Sequence, residues 1–375
     1  MVLLSWKIVW KGNVKMVKAG KMILRFFKWL IIAIIVSVLL FFLVCFVGRR
    51  INSITPKDGI NTSEYVEING SMQWISIYSE DKSNPVLLYL HGGPCVATSF
   101  LDFPLMKKLG KDYTVVNWDQ RGCGHNYKVS PYNETLTPEL VMADGVAMTE
   151  YLKERFDTDK ITLLGSSWGS VLGSNLVLEN PENYTAMVST SSVVDTVDSQ
   201  QAFKDRIISL TENDPESRAL AESIEPYTDP EDSPYKLNEL EKKYCYKENF
   251  FKAADYGLLT GIMFDPYASL DQIGMLTFDS KEFGAYRKNL CKSTFYMVTP
   301  MSLKGRFDYK VPVYYLVGSE DQHMFSMNTV AKEYYDNIKA PDKEFRYVKG
   351  GHYAATLCSE DLSSYLHEIK ERTVK

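Results

Sequence analysis

Residues 29–48 (WLIIAIIVSVLLFFLVCFVG) run for twenty positions without a charged side chain. At about 1.5 Å per residue, a helix of that length spans roughly 30 Å, the hydrocarbon core of a bilayer, and satisfies its own backbone hydrogen bonds there. The alternative is a cleaved signal peptide, whose apolar region is about 7–15 residues long and ends at a small-x-small site. This run is longer and ends Phe46-Val47-Gly48, a poor cleavage site. The pattern therefore predicts a transmembrane helix over 29–48, with a segment 1–28 before it and a linker over 49–70 after it.

Beyond the linker the period changes. Residues 73–78 (QWISIY) alternate as a strand does. Residues 85–90 (PVLLYL), 113–118 (YTVVNW), 161–164 (ITLL) and 311–317 (VPVYYLV) are short continuous apolar runs, and 345–348 (FRYV) is strand-like. Such runs suit strands buried on both faces of a parallel sheet. Helical stretches over 137–156 and 168–179 lie between them, and the alternation predicts an α/β fold with a mostly parallel, doubly wound sheet. From 199 to 306 strand-like runs vanish. Charged helical stretches such as 234–246 and Tyr- and Phe-rich segments replace them. This predicts a helical lid over 199–306, inserted into a core made of 71–198 and 307–375.

Charge refines the picture at both ends. The net charge is −5, but residues 1–50 hold nine Lys or Arg and no Asp or Glu, which leaves 33 basic against 47 acidic residues elsewhere. An acidic body argues against nucleic acid as a partner. The basic N-terminus suits the inner face of a membrane and, by the positive-inside rule, predicts a cytoplasmic N-terminus and an extracytoplasmic main domain. Lys7, Lys11, Lys15, Lys18, Lys21, Arg25 and Lys28 recur every three or four positions, one stripe on a helix. With Trp6, Val9, Trp10 and Met22 nearby, that segment either lies on anionic lipid or serves only as a topology signal, interrupted at Gly12-Asn13. Six cysteines are present, with Cys45 in the span and Cys95, Cys123, Cys245, Cys291 and Cys358 scattered beyond it, which is no disulfide framework. No CxxC, HExxH or clustered His/Cys spacing occurs, so neither a metal nor a cofactor is expected.

The chemistry concentrates at Gly165-Ser166-Ser167-Trp168-Gly169, a G-x-S-x-G directly after a predicted strand and opening a predicted helix. That context is a nucleophile elbow: a sharp turn lifts the serine above the sheet, small neighbours avoid clashes, and the helix N-terminus favours negative charge. Ser167 is the expected nucleophile. Its base must come from His91, His125, His323, His352 and His367. In such hydrolases the order is Ser, then acid, then His. His352 follows Gly350-Gly351 after a strand-like run and is preferred, with His323 as rival; His367 reads as a surface residue of a helical tail. Asp321, at the end of a late strand, is the expected acid, with Glu320 as alternative. The oxyanion needs two backbone N–H donors. Trp168, after the nucleophile, and Gly93 are expected, with Gly92 as second choice.

Four motifs stand in order: His91-Gly92-Gly93-Pro94, Asp119-Gln120-Arg121-Gly122, Ser167-Trp168-Gly169-Ser170 and Gly350-Gly351-His352. Together they resemble the proline iminopeptidase family of α/β-hydrolases, the S33 serine peptidases, over roughly 70–198 and 307–360. The resemblance implies a triad of Ser167, Asp321 and His352, an oxyanion hole at Gly93 and Trp168, and release of an N-terminal residue, often proline, from short peptides. Two departures stand out. Cys95 replaces the glycine that usually follows the first motif. The lid stretch 249–257 lacks the family's Trp and glutamates that hold the substrate's free amine, and Glu248 and Asp255 qualify there by charge alone. Asp119 and Arg121 read as a loop-bracing ion pair. The expected protein is a membrane-anchored serine aminopeptidase. The alternatives are an esterase, lipase or amidase on the same triad, and a non-catalytic binding module. A lid carboxylate facing the site separates the first from the second.

Overall fold

A computed structural model describes residues 2–94, 96–128, 136–226, 233–245, 254–255, 258–269 and 297–374. Two compact units meet in sequence at Asn52 and Ser53. The first is one helix, α1 (Val2–Asn52). It continues through Gly12 and Asn13 without the expected interruption, and from Lys21 onward it is long and apolar enough to cross a membrane.

The second unit is built on an eight-stranded sheet: β1 (Ile60–Ile68), β2 (Ser71–Ser79), β3 (Val86–Leu90), β4 (Thr114–Trp118), β5 (Ile161–Ser166), β6 (Tyr184–Thr190), β7 (Val313–Gly318) and β8 (Lys343–Val348), in the order β1-β2-β4-β3-β5-β6-β7-β8. A two-residue turn, Asn69-Gly70, joins β1 to β2 with both residues at positive φ, the conformation a tight hairpin needs. β2 pairs antiparallel with β1 and β4, and the remaining pairs are parallel. β3, β4 and β5 are buried throughout, which is why they read as unbroken apolar runs. Alternate residues serve opposite faces. Leu88, Val116 and Leu163 join one apolar cluster, and Leu87, Val115 and Leu164 join the other.

Helices cover both faces. They are α2 (Phe103–Leu109), α3 (Pro138–Phe156), α4 (Trp168–Glu179), α5 (Thr196–Leu210), α6 (Pro215–Glu222), α7 (Ser233–Tyr244), α8 (Leu258–Phe264), α9 (Asn328–Asn337), α10 (Ala354–Leu357) and α11 (Ser359–Thr373). α3 opens on a Thr137 side chain that accepts the Leu140 N–H, and α4 is buried nearly all round. After β3 the chain goes to one side for β4 and to the other for β5, so the loops following β3 and β5 lie side by side at the switch in winding direction, where open α/β sheets hold their ligands. Helices α5 to α8 come between β6 and β7 in sequence. Phe203, Ile207, Ala221, Ile224, Leu237 and Leu240 from this segment form a third cluster that closes on Met324 and Met327, from the loop after β7.

Candidate active site

β5 ends at Ser166 and α4 begins at Trp168, so Ser167 alone makes the turn. Its φ of 53° and ψ of −118° are unusual for a residue with a side chain and persist only where the surroundings enforce them. The Ser167 N–H donates to the Thr190 carbonyl of β6 (2.9 Å), and its carbonyl accepts from the Ser170 N–H (2.8 Å) and hydroxyl (2.5 Å). The flanking glycines are a matter of space. A Cβ at Gly165 would lie 2.2 Å from the Gly169 carbonyl oxygen, and one at Gly169 would lie 2.0 Å from that of Leu90.

The Ser167 hydroxyl faces the Nε2 of His352 at 3.0 Å. His352 lies in the loop after β8, and its carbonyl accepts from the Ser191 hydroxyl at the end of β6. Its Nδ1 meets both carboxylate oxygens of Asp321 at 3.2 Å and the Ser326 hydroxyl at 2.9 Å. Asp321, in the loop after β7, is completely buried. A carboxylate only accepts, so it places the ring hydrogen on Nδ1 and leaves Nε2 to accept from Ser167. Hydroxyl, imidazole and carboxylate thus stand in series, an arrangement that can strip a proton from the hydroxyl and hold the imidazolium that results. Glu320, the alternative acid, is exposed, and its N–H is bonded to the Gly350 carbonyl.

The loop after β3 brings its glycines against this serine. A Cβ at Gly92 would lie 3.4 Å from the Ser167 Cβ, while Gly93 has a φ of 127°, open to glycine. His91 is buried below them. Its Nε2 accepts the Gln120 N–H (3.3 Å), which leaves the hydrogen on Nδ1 to donate to the Gly92 carbonyl (2.7 Å). Burial keeps the His91 imidazole below its ordinary range. In a trans peptide the N–H points opposite to the carbonyl. With the Gly92 carbonyl held on His91, the Gly93 N–H is turned away from that ring. Gln120 also accepts from the Trp168 indole at 2.9 Å. One residue of the second motif therefore ties together the loop after β3 and the start of α4.

The family model described as an α/β-hydrolase fold matches residues 85–355, well over half of the chain. The chain belongs to the α/β-hydrolase family. It is similar to the probable aminopeptidase YbaC of Bacillus subtilis (strain 168), 24% identical over 312 residues that cover 80% of this chain and 93% of that one. A shorter stretch is similar to the proline iminopeptidase of Heyndrickxia coagulans, 25% identical over 130 residues, or 35% of this chain and 43% of that one. Among solved structures it resembles a proline iminopeptidase-related protein from Thermus thermophilus, with a TM-score of 0.55 and 18% identity, covering 84% of this chain and 99% of that one. At that identity the structural likeness speaks for the fold alone. The expected family resemblance is borne out by these relatives.

Several residues of this α/β-hydrolase sit differently from expectation. Arg121 pairs with Asp144 of α3, through Nε at 2.8 Å and Nη2 at 2.9 Å, rather than with Asp119. Asp119 instead accepts from the His125 N–H (2.8 Å), the His125 ring (2.9 Å) and the Ser99 hydroxyl (3.1 Å). Both residues brace loops, but with other partners, because the side chain of Arg121 reaches α3. Asp255 accepts from the Ser359 hydroxyl (2.5 Å) and the Glu360 N–H (2.8 Å), so it caps α11. Cys95, Glu248 and most of 249–257 lie outside the described residues. Among the described residues no group of His, Cys, Asp and Glu could hold a metal ion.

The carboxylate that sequence reading missed is Glu241, on α7. Its Oε1 stands 3.9 Å from the Nε2 of His323. Burial pushes its carboxyl up to about 7, opposed by attraction to His352. One turn further on, the Cys245 thiol donates to the Gln322 carbonyl at 3.6 Å. α7 therefore seats on the loop that carries Asp321. His323, the rival base, makes no contact with Ser167 among the described hydrogen bonds; its ring stacks on His352, centroids 4.4 Å apart and planes 22° apart.

Proposed function

We propose that the protein is a membrane-anchored serine hydrolase of the proline iminopeptidase type, releasing N-terminal residues from short peptides through Ser167, His352 and Asp321. The observation that carries this reading is the unbroken series from the Ser167 hydroxyl to the His352 imidazole to the buried Asp321, with Ser167 at the apex of a positive-φ turn.

In the reaction, His352 Nε2 takes the hydroxyl proton as Ser167 Oγ bonds to the substrate carbonyl carbon. The oxygen that becomes negative accepts from the N–H groups of Gly93 and Trp168. The tetrahedral species collapses, the C–N bond breaks, and the imidazolium returns its proton to the leaving amine. Water then attacks the acyl-enzyme with His352 as base, releasing the acid and restoring Ser167. Asp321 holds the Nδ1–H tautomer and stabilises the imidazolium; no step calls for a cofactor or metal.

Glu241 supports the aminopeptidase form of this reading. It is a carboxylate on the segment 199–306, the proposed lid, and it stands beside the triad. A peptide's ammonium group next to it would restore its ionised form and place the first peptide bond near Ser167. The apolar part of α1 serves as the anchor in contact with membrane lipid, and the basic residues before it favour a cytoplasmic N-terminus with the hydrolase outside.

The test is labelling by a fluorophosphonate probe together with turnover of aminoacyl-coumarin amides, prolyl included. Labelling lost in Ser167→Ala and release from at least one free-amine substrate are expected. Absence of labelling defeats the serine mechanism. Labelling with turnover of acyl esters alone defeats the peptidase assignment. Protease protection in intact vesicles tests the orientation.

A further inference from the structure

The contacts of His352 with Asp321 and Ser326 all meet one ring atom, Nδ1. The Ser167 hydroxyl meets Nε2 at 3.0 Å, and the direction of that contact depends on the tilt of the ring plane. A tilt of about 30° carries Nε2 by about 1 Å, enough to cost on the order of 100-fold in rate.

His323 lies flat against the His352 ring, with ring centroids 4.4 Å apart and planes at 22°. Tyr353 closes from another side, edge-on at 5.0 Å and 82°. His323 is itself fixed. Its backbone N–H donates to Asp321 Oδ1 (3.3 Å), and its ring Nδ1 accepts the Phe325 N–H (3.4 Å). An accepting Nδ1 leaves the hydrogen on Nε2, which faces the Glu241 carboxylate of α7 at 3.9 Å. Two stacked imidazolium rings would repel, so a flat support of this kind must stay neutral. Burial, and then the neighbouring His352, hold the His323 imidazole well below its ordinary range.

We propose that His323 is a positioning residue that sets the plane of the His352 ring and so aims Nε2 at Ser167. The proposal rests on Ser167 and His352 being the reacting pair.

The experiment measures the second-order rate of fluorophosphonate labelling on the full chain in detergent, with kcat and KM on whichever substrate is turned over. The variants are His323→Ala, His323→Phe and His323→Leu. Alanine removes the support and leucine keeps bulk without a flat face. Both are expected to slow labelling and kcat by about 10- to 100-fold with KM within about twofold. Phenylalanine keeps the flat face and is expected to stay within about threefold of wild type. Wild-type rates in the alanine variant, or equal loss in the phenylalanine and leucine variants, overturn the proposal. Wild type that labels without cleaving aminoacyl amides defeats the peptidase reading alone, because the labelling rates still score His323. Wild type that does not label defeats the serine mechanism, and this proposal with it.

Discussion

The Ser326 hydroxyl lies closer to His352 Nδ1 than Asp321 does, at 2.9 Å against 3.2 Å to either carboxylate oxygen. It also reaches Asp321 Oδ1, at 3.4 Å. Ser326 therefore bridges the proposed base and the proposed acid, and of its two partners only Asp321 can carry a charge that balances an imidazolium. Ser326→Ala removes one neutral contact of about 1 kcal/mol and should lower kcat by about fivefold. Asp321→Asn loses the charge and the control of the tautomer, and should lower kcat by about 10⁴-fold. Turnover normalised to fluorophosphonate-titrated sites decides the matter. Equal losses would transfer the orienting role to Ser326.

Glu241 is expected to link pH to both amine binding and stability. Its carboxyl in the folded protein is near 7, above the ordinary 4.5, because burial disfavours the charge. The folded state thus holds more protons than the unfolded state between those values. Stability should fall as pH rises from about 4.5 to 7 and level off above, with Glu241 contributing on the order of 1–3 kcal/mol of that loss. Glu241→Gln should flatten this slope in urea unfolding across pH. The same variant should raise KM for free-amine substrates above pH 7 while leaving acyl-ester turnover unchanged. Wild-type affinity for amines should weaken as pH drops through 7 and the carboxylate is neutralised. An unchanged KM in the variant would remove Glu241 from amine recognition.

How much of this could be read from sequence follows from where each signal resides. β3, β4, β5 and β7 stood out because burial on both faces demands unbroken apolar runs, and the elbow stood out because Gly165 and Gly169 have no room for a Cβ. β6 (YTAMVST) has too few apolar residues to announce itself, although the sheet buries most of it. α7 reads Ser-Pro-Tyr-Lys-Leu-Asn-Glu-Leu-Glu-Lys-Lys-Tyr, with two acids whose outlook depends entirely on how the helix docks. Packing of Leu237 and Leu240 on Met324 and Met327 decides it, and no local pattern encodes that. His323 offers itself as a rival base by residue type alone, and its stacking partner lies 29 positions away, where local spacing cannot reveal it.

Arg121 and Asp144 form a nearly dry ion pair, with side chains 6% and 2% exposed. Asn69 and Gln73 each add an amide donor to Asp144 at 2.9 Å. Arg121→Met leaves that carboxylate without its cation and should destabilise the protein by about 3–5 kcal/mol. The double variant Arg121→Met/Asp144→Leu should recover part of the loss, because no uncompensated charge stays buried. Urea unfolding of the three proteins measures this. A double variant no more stable than Arg121→Met would show that the pair is needed for more than its own neutrality.

Gly92 and Gly93 allow the oxyanion donor to be assigned by substitution. At Gly92 a methyl group meets the Ser167 Cβ at 3.4 Å, the Ser166 carbonyl oxygen at 3.6 Å and the Ser167 Oγ at 4.0 Å, all ordinary contacts, and the backbone there is not at positive φ. At Gly93 the φ of 127° penalises any side chain, by about 1–3 kcal/mol, and relief of that strain rotates the very N–H that the His91–Gly92 hydrogen bond has aimed. Gly93→Ala should therefore lower kcat by about 10²–10³-fold, the usual loss for one oxyanion donor. Gly92→Ala should stay within about tenfold of wild type and act mainly on KM, by crowding the nucleophile. The same logic makes His91→Phe a milder copy of Gly93→Ala, because it frees the Gly92 carbonyl without straining the backbone. Steady-state kinetics of the three variants, each corrected for the fraction that labels at Ser167, provides the order. A larger loss of kcat at Gly92 than at Gly93 would move the donor to Gly92.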